Sequence, residues 1–335
     1  MYERGIHLNI YDIAQKAEVS IATVSRVLNG KDTVSEKTRK RVLEVMEEMG
    51  YTPNIFARGL GLNTIKMIGV MCNDVTDLYC SAALSVIEKE VRRNGYDVIL
   101  CCTGDDLSVK KQYLSLLLSK RVDSLILIGS IFKSREDNSH IYEAAEKVPV
   151  VIINGYVDAP NIYCVLCDNY NATRDAVLRL AHRGHTRIAH MYRAQTYSGL
   201  EKINGYRDGL EEAGLPFDPA LLVKVGGSLE LSQQKTKELI RDQGITAVIS
   251  SCNVVAAGAM KGAKELNKRI PQDFAVVGYD DTVLVRCTTP ELSYIDSRVE
   301  ELGTLAVRTA IEVLEGKKVS PKAILPGIFV EKETV

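Results

Sequence analysis

The chain has 335 residues, 46% hydrophobic and 25% charged, which are ordinary values for a globular protein long enough to form more than one domain. Its formal net charge of −1 gives no indication of nucleic-acid binding, and residues 1–62 hold nine Lys/Arg against eight Asp/Glu. No apolar run reaches the roughly 18 residues of a membrane span and no secretory signal is recognisable, so we expect a cytoplasmic protein without a membrane partner.

The N-terminal segment predicts three short, capped helices. Asn9, Ser20 and Ser35 are residue types that cap helix N-termini, and Asp12 stands where a carboxylate can reach back to the free amide of Asn9. The predicted helices cover residues 10–17, 21–28 and the segment from 36 to Gly50. A four-residue connection separates the first two helices. This arrangement is typical of a helix-turn-helix head, which we assign to residues 8–52.

The second helix of this head carries side chains suited to reading DNA. Arg26 can reach a guanine edge, whereas Ile21 and Ala22 can contact a thymine methyl group. The small hydroxyls in and before the helix suit phosphate contacts. The alternative is a three-helix core with an ordinary solvated face. The predicted DNA-contacting residues are Ile10, Tyr11, Ser20, Ile21, Ala22, Thr23, Ser25, Arg26, Asn29, Asn54, Ala57 and Leu60.

Residues 53–63 predict a hinge helix and linker that need external support. Asn54 is a good N-cap, but the residues after it are too few to hold a helix in water, and Gly59 weakens that helix further. A short helix with an exposed Leu60 suits insertion between base pairs in the minor groove, which kinks the duplex.

Several sequence blocks in this part of the chain form a specific pattern when taken together. They are Ile10-Tyr11-Asp12-Ile13-Ala14, Ala22-Thr23-Val24-Ser25-Arg26-Val27-Leu28-Asn29-Gly30, Val34-Ser35, Gly50-Tyr51 and Pro53-Asn54-Ile55-Phe56-Ala57-Arg58. The pattern resembles the lactose/galactose repressor family of bacterial transcription factors, and the resemblance extends over residues 8–335. It implies a homodimer whose partner is double-stranded, pseudo-palindromic operator DNA, with two hinge helices packed together at the operator centre.

From residue 65 onward, strand-like runs alternate with helical patterns. The strand-like runs are Lys66–Cys72, Asp97–Cys102, Ser124–Ile128, Val148–Ile153, Arg187–Met191, Leu221–Val225, Ala247–Ser250, Phe274–Gly278 and Ile324–Val330. The helical patterns lie near Ser81–Arg93, Leu107–Lys120, Ser139–Lys147, Ala172–Ala181, Lys202–Ala213, Glu230–Asp242, Val254–Leu266 and Arg298–Gly316. Such intervals suit right-handed crossovers, so the sequence predicts an α/β fold with two similar lobes built on parallel sheets.

The family resemblance adds an interleaved chain path to these two lobes. It implies a two-lobed, periplasmic-binding-protein-like sensor over residues 64–335, in which the chain passes between the lobes three times. The crossings are expected near 165–168, 291–295 and 318–325. The first lobe then contains residues 64–166 and 294–321, and the second contains 167–293 and 322–335.

Polar residues at predicted strand ends mark a candidate effector site between the lobes. In open α/β sheets, ligands bind at the carboxyl ends of the strands. Asp280 is the strongest candidate, because a carboxylate just past a buried strand can accept two hydrogen bonds from sugar hydroxyls. The alternative for each candidate is an ordinary loop or cap residue. The candidates are Asn73, Tyr79, Ser130, Lys202, Asn253 and Asp280.

The chain departs from the family pattern at this site. Lys202 stands where many members have an arginine that clamps the effector, and Cys252-Asn253 stands where they have Asn-Asp. A lysine cannot reproduce a planar, two-pronged clamp. We therefore expect Lys202 to favour a sugar phosphate over a neutral sugar. The alternative is a protein co-regulator bound to the outer face of the first lobe, as in the catabolite-control branch of the family, which answers to a phosphorylated carrier protein.

Other classes of function lack a sequence signal. The chain has no Gly-x-Ser-x-Gly, Gly-x-Gly-x-x-Gly, Gly-x-x-x-x-Gly-Lys or His-Glu-x-x-His motif, so neither an enzyme nor a cofactor is expected. Cys164 and Cys167 have the spacing of metal ligands, but they lie in a strand-like run without a second pair, and we expect no metal and eight reduced cysteines. A stand-alone solute-binding protein is the remaining alternative.

Overall fold

The computed structural model describes residues 8–28, 33–51, 64–135 and 137–335. It contains two compact units, Met1–Lys66 and Met67–Val335. In the described residues, no helix combines the length and the apolar character needed to cross a bilayer.

The first unit contains three helices that begin at the predicted caps. They are α1 (Ile10–Lys16), α2 (Ile21–Leu28) and α3 (Glu36–Glu48). The Asn9 side chain accepts from the backbone amide of Asp12, and the Asp12 carboxylate accepts from the amide of Asn9 at 2.8 Å, which completes the predicted capping box. Ser20 accepts from the amide of Thr23 at 3.1 Å, and Ser35 caps α3 in the same way.

A small hydrophobic core joins these three helices. Each helix contributes buried side chains from one face only, as the sequence pattern predicts. The buried residues are Ile13, Ala14, Ala17, Val24, Val27, Val42, Val45 and Met46. Four residues connect α1 to α2, and Glu18 in this turn adopts a positive φ of 49°, which lets the chain reverse over a short distance. The predicted helix-turn-helix head is therefore confirmed.

The first lobe of the second unit is built on a six-stranded parallel sheet. Its strand order is β11-β5-β4-β3-β1-β2. The elements are β1 (Met67–Cys72), α4 (Leu78–Arg93), β2 (Asp97–Cys102), α5 (Leu107–Ser119), β3 (Ser124–Ile128), a 3-10 turn (Ser130–Phe132), α6 (Ser139–Ala145), β4 (Val150–Ile153), β5 (Ile162–Asp168), α12 (Val299–Leu314) and β11 (Lys322–Pro326). Every residue of β1, β3 and β4 is buried, because helices cover both faces of the sheet.

The second lobe repeats this architecture. Its sheet order is β12-β10-β9-β8-β6-β7, parallel except for the edge strand β12. The elements are α7 (Asn169–His182), β6 (Ile188–Tyr192), α8 (Tyr197–Glu212), a 3-10 turn (Pro219–Leu221), β7 (Leu222–Lys224), α9 (Leu229–Gln243), β8 (Ala247–Ser250), α10 (Asn253–Glu265), β9 (Ala275–Tyr279), α11 (Val283–Cys287), β10 (Ser293–Asp296) and β12 (Ile328–Val330). The predicted α/β fold with two parallel-sheet lobes is confirmed.

Within residues 67–335, the described chain passes between the two sheets three times, but two of the predicted lobe boundaries are wrong. β10 pairs in parallel with β9, so residues 293–296 belong to the second lobe and not to the first. β11 pairs in parallel with β5, so residues 322–326 belong to the first lobe and not to the second. The single strand predicted over 324–330 is therefore two strands in different sheets, separated only by Gly327.

Close helix packing in the second lobe depends on glycine. Gly258 and Gly262 lie one turn apart on α10, where the helix meets α9. A Cβ at Gly258 would lie 2.7 Å from the Cβ of Ser232, and a Cβ at Gly262 would lie 2.5 Å from the carbonyl oxygen of Gln233. The two helices approach so closely that neither position has room for a methyl group.

We predict that Gly258→Ala destabilises the protein by about 1–3 kcal/mol, although alanine is the better helix former by about 1 kcal/mol. The measurement is urea unfolding followed by circular dichroism. Gly303→Ala on α12 is the control, since its new methyl group would lie 3.1 Å from the Val86 side chain and at an ordinary contact distance of 3.6 Å from the backbone carbonyl oxygen of Ala83. Equal midpoints for the two variants would contradict the packing argument.

Candidate functional site

A cavity of about 560 Å³ lies between the two lobes, at the carboxyl ends of both sets of strands. Its walls include Ile128 of β3, Lys224 of β7 and Tyr279 of β9. The other wall residues come mainly from the segments that follow β1, β3, β4, β6, β7, β8 and β9. The six residues predicted for effector binding all line it, namely Asn73, Tyr79, Ser130, Lys202, Asn253 and Asp280. We call this space the central cavity.

Asp280 directly follows β9 and holds an unusual position in the cavity wall. Its backbone φ is +73°, and the residue is 8% exposed. The hydroxyl of Ser297 donates to Oδ1, whereas Oδ2 has no hydrogen-bond partner among the described residues. Burial raises the pKa of Asp280 to about 6, and the nearby Lys202 ammonium opposes this shift. The group is therefore a desolvated carboxylate with one oxygen available to a ligand.

Asn253 lines the cavity, but its hydrogen bonds serve the loop after β9. Its Nδ2 donates to the carbonyl of Asp280 at 2.6 Å and to Thr282 Oγ1 at 2.9 Å, while its Oδ1 accepts from the amide of Tyr279 at 2.9 Å. Both amide protons are thus engaged. Asn253 therefore positions the loop that carries Asp280, and its predicted contact with an effector stays a prediction.

Lys202, which was expected to favour a sugar phosphate, already has partners in the cavity wall. Its Nζ lies 3.3 Å from the centre of the Tyr279 ring and donates to the carbonyl of Ser251 at 3.2 Å. Burial lowers the pKa of Lys202, and the Asp280 carboxylate opposes this shift. The positive charge is therefore already balanced by a ring face, a carbonyl and a carboxylate, which weakens the expected preference for an anionic effector.

Tyr79 and Asn73 reach the cavity from the first lobe. The phenol oxygen of Tyr79 accepts from Asn154 Nδ2 at 2.7 Å, and Asn154 Oδ1 accepts from the amide of Cys167 at 2.8 Å. Asn73 Oδ1 accepts from the thiol of Cys80 at 3.3 Å. The Tyr79 ring is thus held in a fixed orientation, as a surface for stacking a sugar ring requires.

Contacts at two places join the lobes across the central cavity. The Ser130 hydroxyl donates to Thr196 Oγ1 at 2.8 Å and lies 2.7 Å from the hydroxyl of Ser198. On the β1–β6 side, Arg193 forms an ion pair with Asp77. Sequence reasoning named only Ser130 of these five residues. Arg193 and Thr196 follow β6, so the strand-end criterion that found Asp280 also applies to them.

The charges of the central cavity nearly cancel. Its basic side chains are Arg193, Lys202 and Lys224, and its acidic side chains are Asp74, Asp77, Asp105 and Asp280. Arg193 pairs with Asp77, and Lys202 lies near Asp280. A neutral, polyhydroxylated ligand therefore suits this space better than a strongly anionic one.

The predicted DNA-contacting residues of α2 lie on the face away from the head core. Val24 and Val27 point into that core, whereas Ile21, Ala22 and Arg26 are exposed. Within the described part of the chain, Arg26 forms no ion pair, although Arg41 pairs with Glu18, Lys16 with Glu48 and Lys40 with Glu44.

The remaining DNA-contact predictions divide into two groups. Tyr11 is 65% exposed and Ile10 is partly buried at the start of α1, while the hydroxyls of Ser20 and Thr23 bond each other at 2.9 Å and Ser25 is partly buried. The other predicted contacts and the predicted hinge helix over 53–63 lie outside the described residues. These contacts are Asn29, Asn54, Ala57 and Leu60.

We predict that Asp280→Asn stabilises the protein at pH 7.5 by about 1–3 kcal/mol, because folding no longer moves an ionised carboxylate into a desolvated site. The raised pKa means that this cost is fully present above about pH 6 and disappears as the pH falls towards 3.8. Urea unfolding at pH 7.5 and pH 4.5 provides the measurement. The exposed Asp97→Asn is the control, and a pH-independent difference for Asp280→Asn would contradict the prediction.

Comparisons with known proteins agree with this architecture. Residues 9–54 match the bacterial regulatory proteins of the lacI family, and residues 177–335 match a periplasmic binding protein-like domain. The match to the second domain covers β6 to β12, which include most of the second-lobe wall of the central cavity.

Similar proteins extend the match over nearly the whole chain. An HTH-type transcriptional regulator of Lachnoclostridium phytofermentans is 45% identical, covering 98% of this chain and 99% of the relative. Catabolite control protein A of Streptococcus mutans is 30% identical, covering 95% of each chain. The crystal structure of the Lac repressor dimer bound to operator and the anti-inducer ONPF is 27% identical with a TM-score of 0.87, covering 98% of each chain.

Because a relative with 45% identity spans almost the full length of both chains, and because the head matches the same family, this chain belongs to the lacI family of bacterial regulatory proteins and is a DNA-binding transcriptional regulator.

Proposed function

We propose that the regulator is a homodimeric repressor of carbohydrate-related genes, which binds a pseudo-palindromic operator in the cytoplasm and responds to a small polyhydroxylated effector in the central cavity. The observation that carries this proposal is the buried carboxylate of Asp280, whose Oδ2 has no hydrogen-bond partner among the described residues, in a cavity between the two lobes. A sugar presents pairs of hydroxyl donors that such a carboxylate accepts.

The exposed face of α2 supports the DNA-binding part of the proposal. Ile21 and Ala22 offer apolar surface near the helix N-terminus, and Arg26 offers two parallel donors one turn later. A dimer presents this face twice, which suits an operator with two related half-sites, as the Lac repressor dimer is bound to its operator in the solved structure.

Control by an effector requires that the ligand bind one arrangement of the lobes more tightly than the other. Asp280 belongs to the second lobe and Tyr79 and Ser130 to the first, so a ligand that contacts all three changes the lobe equilibrium. A coupling free energy of about 1–3 kcal/mol changes operator affinity by about 5- to 150-fold.

We predict that Arg26→Ala weakens binding to the best operator by about 1–3 kcal/mol and relaxes base preference at one position of each half-site. The measurement is a mobility-shift titration of the full chain against operator sequences selected from random DNA. Lys40→Ala is the matched control, because Lys40 is an exposed cation of the head that pairs with Glu44. Equal losses on selected and random DNA would reduce Arg26 to a phosphate contact, and the absence of any selected site would overturn the proposed function.

We also predict that at least one sugar raises the melting temperature of the wild-type protein, changes its operator affinity and has a much smaller effect on Asp280→Ala. A thermal-shift screen of sugars, sugar phosphates and nucleosides identifies the ligand, and the mobility-shift assay then measures coupling. A ligand that stabilises both proteins equally would remove Asp280 from the site.

Control by a protein co-regulator is the alternative to control by a small-molecule effector. The similarity to catabolite control protein A is the reason for testing a protein co-regulator beside the small molecules. If no small molecule stabilises the wild-type protein and a phosphorylated carrier protein alone changes operator affinity, the central cavity has no part in control.

A further inference from the structure

A second cavity of about 360 Å³ adjoins the central cavity, and we call it the outer cavity. Its walls come from the start of α5 and residues 131–135 in the first lobe and from residues 194–200 in the second. The two cavities share four lining residues, Asp105, Ile131, Ala194 and Thr196. A ligand that fills the central cavity can therefore extend into the outer one.

The outer cavity has a different charge from the central cavity. Three cations line it, Lys110, Lys133 and Arg135, against a single carboxylate, Asp105, which is exposed. Within the described residues, none of the three cations forms an ion pair, and Asp137 pairs instead with Lys111 at 2.8 Å. The space is therefore positive, whereas the charges of the central cavity nearly cancel.

Lys110 is the strongest single indication of a ligand. The residue is 5% exposed, and its ammonium donates to the carbonyl of Ile131 at 2.9 Å and lies 5.6 Å from the centre of the Phe132 ring. Burial lowers the pKa of Lys110, and the charges of Asp105 and Asp106 oppose this shift only in part. An ammonium has three N–H donors, so a buried one with one carbonyl partner is incompletely compensated.

The rest of the wall suits the body of a sugar ring next to a charged group. Phe132 is 1% exposed, and Leu107, Tyr197 and Leu200 add apolar surface around the cations. Apolar walls exclude water and strengthen the attraction between a cation and an anion. A cavity lined by both cations and apolar side chains favours a ligand that is anionic and partly apolar.

We propose that the outer cavity binds an anionic group, a phosphate or a carboxylate, that belongs to the same effector whose polyhydroxylated part binds in the central cavity. The effector is then larger than one neutral sugar, and its charge is recognised by Lys110, Lys133 and Arg135 instead of by Lys202. This inference rests on the proposed function, and it names the ligand class that the two joined cavities select.

Inorganic phosphate and acetate are the probes for this site. Isothermal titration of the full-length protein at fixed ionic strength is expected to show saturable binding of at least one of them. Affinity for that anion should fall at least about tenfold in the double variant Lys133→Gln/Arg135→Gln, whose side chains are not fully buried and whose loss spares the core. Tighter binding of phosphate identifies a phosphate ester as the source, and tighter binding of acetate identifies a carboxylate.

The control variant removes the same two charges elsewhere in the first lobe. Arg121→Gln/Lys147→Gln changes exposed residues outside both cavities and should leave anion affinity unchanged. Failure of both anions to bind, or equal affinity in the two double variants, would overturn the proposal.

Operator binding separates this inference from the proposed function. If anions bind as expected but no small molecule alters operator affinity, the anion site in the outer cavity is supported and control of DNA binding through the central cavity is contradicted. If a neutral sugar alters operator affinity equally in both double variants while neither anion binds, control through the central cavity is supported and the anion site in the outer cavity is contradicted.

Discussion

Parallel strand pairing is the constraint on which the site depends. In each sheet the parallel strands end at the same edge, so residues far apart in sequence are placed side by side at the cleft. Asn73 follows β1, Ser130 follows β3, Arg193 follows β6 and Asp280 follows β9, and all four line one cavity. Had any pair been antiparallel, its polar end would lie on the opposite side of the lobe.

Buried charge distinguishes this cleft from an ordinary groove between lobes. Asp280, Lys202 and Lys110 are all placed where desolvation disfavours their charged forms. In proteins generally, replacing a buried ion pair by hydrophobic side chains of similar size is often neutral or stabilising. Ionisable groups at such positions are expected where a ligand supplies the missing hydrogen bonds. They lower the stability of the folded protein, and they allow it to select its ligand.

Sequence periodicity predicted the fold because parallel strands and amphipathic helices leave strong local signals. The caps at Asn9, Ser20 and Ser35 and the bounds of α2, β2, β3 and β8 are local properties, and they agree with the structure. The end of the chain was harder. Membership of β10, β11 and β12 in one sheet or the other depends on pairing with distant strands, which local patterns do not report.

At the site too, the sequence predicted features that depend on neighbouring residues and not those that depend on distant segments. Strand-end polarity identified Asp280 and Ser130, since both lie where their own segment puts them. Sequence patterns did not show the partners of Asn253 and Lys202, because the carbonyl of Asp280 and the ring of Tyr279 come from β9 and the loop after it. The outer cavity was missed for a related reason: Lys110 appears as a surface residue of a helix until residues 131–135 fold over it.

The three chain crossings also have a mechanical consequence. β5 and β11 lie at one edge of the first sheet, and β10 and β12 lie at the corresponding edge of the second. The crossings therefore lie at one edge of each sheet. In their sheets, β1 lies four strand spacings from β11 and β6 lies four from β12, a distance of about 19 Å. A rotation of about 10° moves that side by about 3 Å. A rotation of the lobes about this edge would therefore move the Asp77–Arg193 ion pair, which follows these two strands, much further than Gly327 at the crossings.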